Sequence, residues 1–338
     1  MIASGAGSRL SRRRFIRISA AASGLALAPV VGPTASAQGE HLRVWRGVAL
    51  GADATLQIHH PDPAEADRLI AACLAEVERL ERIFSLYRTD SDICRLNRQG
   101  RLDAPPLELL EVLGQSQQFS RLTGGAFDPT VQPLWDLYAA HFSSPVADPA
   151  GPPEAAVQAA VRCVGHDALA LDSGSIHFTH PGMSVTLNGI GQGYVTDRVV
   201  ALLRAHGVDR SLVDMGEIRA IGDRPSGGPW TIGLADPANP ESFVRRISLE
   251  NRAVSTSGGY GTEFDPAGRF NHIFDPATGG TSWRHRSVSV VAQTSATADA
   301  LSTAFCLMPL TAIQRIVSAL DLTAYLAEND GTWLIQTA

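Results

Sequence analysis

Asp299 and Thr303 stand four residues apart in the run Ser295 to Ala304, whose Ala, Ser and Leu content suits a helix. On a helix that spacing puts a carboxylate and a hydroxyl on one face, where two oxygens can meet one hard cation. No His or Cys shares the face, so Mg²⁺ fits better than zinc. The same spacing also suits a first-turn acid beside a threonine that merely packs on a neighbour. His272 precedes Asp275 in Phe270-Asn271-His272-Ile273-Phe274-Asp275-Pro276. An imidazole near a carboxylate suits proton transfer, and such pairs also close structural turns. Ser255-Thr256-Ser257-Gly258 lacks the glycine-flanked elbow of a triad hydrolase. Gly189, Gly191 and Gly193 lead into Val195, Val199, Leu202 and Leu203 at helical spacing. Backbone N–H groups at such a helix start favour an anion such as a pyrophosphate, although many glycine clusters are simply tight turns. The spacing is neither a dinucleotide fingerprint nor a phosphate loop, since no lysine follows.

These residues need a scaffold. Met183–Leu187 is a β-like run entering the glycines, and Leu212–Met215 a second run after the helix, so the centre of the chain reads as strand, glycine turn, helix, strand. Upstream, alternation predicts two strands between Arg43 and Ile58 that meet near Gly51. A long amphipathic helix follows Pro61-Asp62-Pro63, with Leu69, Cys73, Val77, Leu80 and Phe84 on one side. Asp90 or Ser91 caps a short helix, and another runs from Pro106 to Leu122 and stops at Gly124-Gly125. Thr123 to Thr130 is a shaped loop, His141 to Pro153 a connector, Glu154 to Val164 a short helix, and Ala168 to Leu187 a strand meander. Trp230–Leu234, Arg245–Leu249 and Ala253–Thr256 read as successive antiparallel strands. Ser287–Ala292 adds a strand, Thr311–Leu320 a helix, and Thr323–Leu326 with Thr332–Gln336 close the chain.

The 338 residues, 44% of them hydrophobic, are enough for one large or two modest cores. Arg12-Arg13-Arg14-Phe15, an apolar run to Val31 and Ala35-Ser36-Ala37 form a twin-arginine export signal over 1–37, leaving 38–338 as the mature unit outside the bacterial cytoplasm. The apolar run is too short and too rich in small residues for a permanent membrane span. Removing it leaves 23 basic against 34 acidic residues, a poor balance for nucleic acid. The chain has no lysine, which excludes lysine-based catalysis. Cys73, Cys94, Cys163 and Cys306 are too scattered for a zinc site, and Cys73 and Cys306 sit in apolar helical patterns.

In combination and order, six segments resemble the ApbE family of FAD:protein FMN transferases: Phe84-Ser85 with Tyr87, Asp90-Ser91 and Asn97; Gly125 to Thr130; Asn188 to Tyr194 with Asp197; Ser255 to Gly258; His272 to Pro276 with Thr278-Gly279; and Ala298-Asp299-Ala300 with Thr303. The resemblance spans about Val44 to Thr337. It implies an α+β fold of mixed and antiparallel sheets with packed helices, in two lobes around a flavin site. It further implies FAD as substrate, Mg²⁺ as cofactor, and transfer of FMN to a Ser or Thr hydroxyl of an exported or membrane redox protein, with release of AMP. Carried over residue by residue, Leu50, Tyr87, Ala126, Phe127, Asp128, Thr186, Gln192 and His272 would contact FAD. Gly189 (through its carbonyl), Asp299 and Thr303 would hold the metal, and His272 would be the base. The chain departs from the family pattern at Thr186, usually an aspartate; at Gln192, usually a lysine; and at Gly216-Glu217, one residue short of the usual Gly-Gly-Asp. These departures resemble a subgroup of accessory proteins of nitrous oxide respiration. Two other functions use the same residues: an FAD pyrophosphatase with water as acceptor, and a non-catalytic flavin carrier.

Overall fold

The computed structural model describes residues 41–338 except 238, 282 and 283, so the export signal expected over 1–37 lies outside the described residues. Strands β1 (His41–Ala49) and β2 (Ala52–His60) form a hairpin through Leu50 and Gly51, both at positive φ. That geometry matches the twist of a two-residue turn. Helix α1 (Pro63–Phe84) starts where the Asp62 carboxylate accepts the N–H groups of Ala64 and Glu65. Ser91 caps α2 (Asp92–Gln99) in the same way, its hydroxyl accepting the Cys94 N–H at 3.2 Å.

The main sheet has eight strands in the order β1-β2-β6-β7-β10-β11-β12-β13, where β6 is Ser211–Asp214, β7 Ile218–Ile221, β10 Ala253–Gly258, β11 Ser287–Ala292, β12 Thr323–Ala327 and β13 Trp333–Thr337. Every pairing in it is antiparallel. The α+β class with packed helices holds. One face carries α1, α6 (Gly191–Ala205) and α7 (Ser295–Phe305) over the principal hydrophobic core. α7 is buried nearly all round, and its Ala296, Ala298, Ala300 and Ala304 let it lie close to β10, β11 and α6 at once. Small side chains keep the backbones near each other, and that closeness places Asp299 and Thr303.

The opposite face is covered by a separate two-stranded ribbon, β8 (Trp230–Asp236) with β9 (Asn239–Leu249). Trp230, Ile232, Leu234, Ile247 and Leu249 pack there on Leu212, Ile218, Ala220, Val254 and Val291. The sequence led us to expect β8, β9 and β10 in succession. Instead β10 leaves the ribbon and pairs with β7 and β11, because both faces of the main sheet must be buried.

A smaller sheet, β3 (Arg101–Asp103), β5 (Ser175–Phe178) and β4 (Leu169–Leu171), lies beside α3 (Leu107–Leu122). Helices α4 (Gln132–Phe142) and α5 (Glu154–Val161) close an aromatic cluster of Tyr138, Phe264, Phe270 and Phe274. Helix α8 (Leu310–Leu320) leads into β12. Among the described residues no helix is long and apolar enough to cross a membrane. Cys73 and Cys306 are buried, and burial pushes both thiols up to about 12.

Candidate active site

The run Met183–Leu187 is not a strand. Its backbone is held by a side chain instead: Asn97 on α2 donates from Nδ2 to the Val185 carbonyl and accepts the Val185 N–H at Oδ1, both at 2.8 Å. Thr186 N–H donates to the Pro129 carbonyl at 2.8 Å. These bonds satisfy an extended segment that has no neighbouring strand. They also press the glycine turn against the loop after α3.

That loop is shaped as its sequence suggests. Gly124 and Gly125 have positive φ and end α3, with the Gly125 N–H returning to Ser120 O at 2.8 Å. Thr123 Oγ1 accepts the Phe127 N–H at 3.0 Å. Asp128 is turned inward to hold the loop. Its Oδ1 accepts the Thr130 N–H and hydroxyl at 2.8 and 2.5 Å, and its Oδ2 accepts the His166 N–H at 2.9 Å.

The two segments, with α7 and the stretch around His272, enclose a cavity of about 110 Å³. Ala126, Phe127, Asp128, Thr186, Gly189, Gln192, His272, Asp299 and Thr303 all line it. Next to it, sharing Trp135 and Asn188, opens a groove of about 1060 Å³ whose wall includes the exposed Tyr87. Leu50 lines neither. It forms the β1–β2 turn, and its N–H donates to Glu81 Oε1 at 2.7 Å, which ties the hairpin to α1.

Within the smaller cavity the glycine turn and α7 touch. A Cβ on Gly189 would lie 3.1 Å from Thr303 Oγ1, so only glycine brings this backbone so close to the hydroxyl. Ser257 Oγ lies 3.2 Å from Thr303 Oγ1 and 2.7 Å from Ser302 Oγ, a chain of hydroxyls behind the site. Asp299 Oδ2 accepts the Gly193 N–H at 3.0 Å. A helix start expected to attract a ligand's anion is therefore already engaged, at Gly193, by the chain's own carboxylate.

Burial raises the Asp299 carboxyl to about 7, against the lowering effect of the Gly193 N–H and with a further push from Asp197. Glu217, also buried, lines the same cavity and is held well above the carboxylate range by burial and by Asp299. In the sequence Gly216-Glu217 stands out only as a departure from the family's Gly-Gly-Asp, with no site role given to Glu217. In the structure Gly216, at a positive φ of 102°, turns the chain back at the end of β6 and brings Glu217 to the cavity. Among the described residues no Arg lines the cavity. Two buried carboxylates, a threonine hydroxyl and a glycine backbone form an all-oxygen set suited to a hard divalent cation. Among the described residues no three His, Cys, Asp or Glu side chains group as a metal site, so such an ion would depend on backbone and hydroxyl oxygens as well.

His272 is half-buried, and desolvation of its ring lowers its basicity, so the neutral form dominates near pH 7. Its Nδ1 lies 3.2 Å from the Thr262 nitrogen and 3.3 Å from the Thr262 carbonyl. The expected partnership with Asp275 does not form. The Asp275 carboxylate accepts the Ala277 N–H at 2.9 Å and closes its own turn, because Pro276 bends the chain there. Asp197 is likewise structural, accepting the Ser295 and Ala296 N–H groups and pairing with Arg219.

Against known families, the ApbE profile matches residues 50–326. The chain belongs to the ApbE family. The FAD:protein FMN transferase of Klebsiella pneumoniae is 27% identical over 307 residues, covering 86% of this chain and 87% of that protein. The same-named protein of Treponema pallidum is 31% identical over 277 residues, covering 76% of each. Among solved structures, the ApbE protein of Thermotoga maritima superposes with a TM-score of 0.77 at 26% identity, covering 88% of this chain and 97% of that one. The apo flavinyl transferase ApbE of Pseudomonas stutzeri gives 0.74 at 26% identity, covering 89% and 97%. In this ApbE chain the cavity residues come from 126–131 with Trp135, the segment from Thr186 to Gln192, Glu217, the end of β10, the stretch around His272 and α7.

Proposed function

We propose that the protein is an Mg²⁺-dependent FAD:protein FMN transferase that moves FMN from FAD to a Ser or Thr hydroxyl of an exported or membrane redox protein and releases AMP. The observation that carries this reading is the meeting of Asp299, Thr303 and Gly189 in a cavity that no described Arg lines, beside a groove large enough for a dinucleotide. The names of its relatives support it.

Asp299 and Thr303 would hold the cation through side-chain oxygens and Gly189 through its carbonyl; when bound, the ion neutralises charge developing on the phosphates. In the tautomer whose Nδ1–H donates to the Thr262 carbonyl, 3.3 Å away, in place of accepting the Thr262 N–H, His272 would present Nε2 as the base. Nε2 takes the acceptor hydroxyl proton as that oxygen bonds to the FMN phosphorus. The bond from that phosphorus to the bridging oxygen breaks, and AMP departs with the oxygen. Phe127 and Trp135 supply apolar surface beside the reacting groups. Tyr87 stands in the adjoining groove, where an exposed ring can stack on a flavin or adenine.

The arginine run and the Ala-x-Ala site support export by the twin-arginine route and a periplasmic workplace, with 38–338 as the transferase unit. The test is to incubate the protein with FAD, Mg²⁺ and the periplasmic domain of a candidate acceptor and to weigh the acceptor. A Mg²⁺-dependent gain of one FMN phosphoester is expected. Free FMN and AMP without gain would make the protein a pyrophosphatase, and intact bound FAD would make it a carrier.

A further inference from the structure

We propose that Glu217 is a second carboxylate of the cation site, acting with Asp299; the inference rests on the transferase reading above and adds a residue to its metal shell. The argument is one of charge. Three acids line the smaller cavity, and the side chains around each decide which of them faces it unneutralised.

Asp128 has both oxygens occupied by Thr130 and His166. Asp299 has a single backbone N–H, from Gly193. Glu217 has a hydroxyl, from Ser255, which also meets Ser302 at 3.2 Å. Each carboxylate can accept about four hydrogen bonds, so both keep spare acceptor sites. Among the described residues neither is paired with a cation: no Arg lines the cavity, and Arg219 is taken by Asp197. Two unpaired carboxylates facing one desolvated space are costly unless protons or a cation neutralise them. A divalent ion supplies the charge that matches the pair.

The backbone places Glu217 for this task and leaves little freedom to turn it elsewhere. Its carbonyl accepts the Thr196 hydroxyl at 3.2 Å, and that same hydroxyl bonds the Gln192 carbonyl at 2.9 Å, which fastens the β6–β7 turn to the start of α6. The Gln192 amide lies directly over Gly216, where a Cβ would come within 2.6 Å of Gln192 Cδ. Glu217 is therefore held against the same helix start whose N–H reaches Asp299.

The test compares wild type, Glu217→Gln, Glu217→Asp and Asp299→Asn in the full chain at pH 8, with Mn²⁺ as the probe. Binding is followed by the electron paramagnetic resonance of the free ion, and thermal unfolding is recorded without metal. We expect Glu217→Gln to weaken Mn²⁺ at least tenfold and Glu217→Asp to weaken it less. We also expect the metal-free midpoint of Glu217→Gln to equal or exceed wild type, since an amide relieves the uncompensated charge. A merely structural Glu217 gives a lower metal-free midpoint and unaltered binding, which overturns the proposal. Mn²⁺ affinity within twofold of wild type in Glu217→Gln, with Asp299→Asn weakened, removes Glu217 from the shell and leaves the transferase reading standing. No Mn²⁺ binding by wild type removes the cation site itself and this inference with it.

Discussion

The Asp299 carboxylate accepts the Gly193 N–H at 3.0 Å across the contact between α6 and α7. This bond is possible because Gly193 has no side chain: a Cβ there would lie 2.5 Å from the Ser295 carbonyl oxygen and 2.8 Å from Ala296 Cα. The glycine whose spacing suggested a ligand's phosphate thus first serves helix packing, and through it aims the acid that faces the cavity. Backbone contacts cannot yield as a flexible side chain would, so α6 and α7 keep one separation.

Gly193→Ala must therefore push the two helices apart. We expect a loss of about 1–3 kcal/mol in unfolding free energy, the usual cost of overpacking a filled core. Cation-dependent AMP release should fall with it, because Asp299 moves relative to Gly189. Urea unfolding and AMP release from FAD measure the two effects, and unchanged values in both would show that the contact is not tight.

Much of this was legible in the chain. The caps at Asp62 and Ser91, the hairpin at Gly51, the buried faces of α1 and α6 and the shared face of Asp299 and Thr303 follow from local periodicity, which reads one element at a time. What was not legible required two distant segments. Met183–Leu187 has strand composition but finds a side chain, Asn97, in place of a partner strand. Asp275 has the spacing to serve His272 but is captured by its own turn. β3, three residues long, carries too little pattern to be seen. Glu217 is informative only once β6 and β7 fold it beside Asp299.

Asn97→Asp should expose how much that clamp contributes. Aspartate can still accept the Val185 N–H but offers no donor to the Val185 carbonyl, and it sets a negative charge against that oxygen. A buried acceptor left without its bond costs about 1–3 kcal/mol. Because the clamped segment leads into the glycine turn, FAD affinity should weaken as well. Calorimetric unfolding and fluorescence titration with FAD are the checks; a variant as stable as wild type would assign the hold on this segment to the Thr186–Pro129 bond alone.

Asp214, at the end of β6, is raised by burial to about 6 from an ordinary 3.8, even though it accepts the Gly216 N–H. The folded protein therefore binds this proton more tightly than the unfolded chain. Its contribution favours folding at low pH and is lost as pH rises from 3.8 to about 6. Asp214→Asn keeps an acceptor for Gly216 without the charge. It should stabilise the protein at pH 8 by up to about 3 kcal/mol, the free energy that separates a carboxyl at about 6 from one at 3.8. The gain should vanish below pH 4, and denaturant midpoints at the two pH values measure it. An equal effect at both would mean that the residue acts through packing rather than charge.

His272 shows the opposite sign. Burial lowers its basicity, so the folded protein binds the imidazole proton less tightly than the unfolded chain, and this group's contribution to stability is present above the unfolded value of 6.5 and lost as pH falls below it. The neutral ring needed for a base thus persists on the acid side of 6.5, and the acid limb of the transfer rate should fall below that pH. His272→Ala should keep FAD binding, because Phe127 and Trp135 still form the cavity wall. It should lower the rate of acceptor flavinylation by about 10²–10⁴, the usual worth of a positioned base. Single-turnover rates across pH, with FAD affinity measured in parallel, separate the two effects. A wild-type rate with an unshifted acid limb would mean that the acceptor hydroxyl loses its proton to another group.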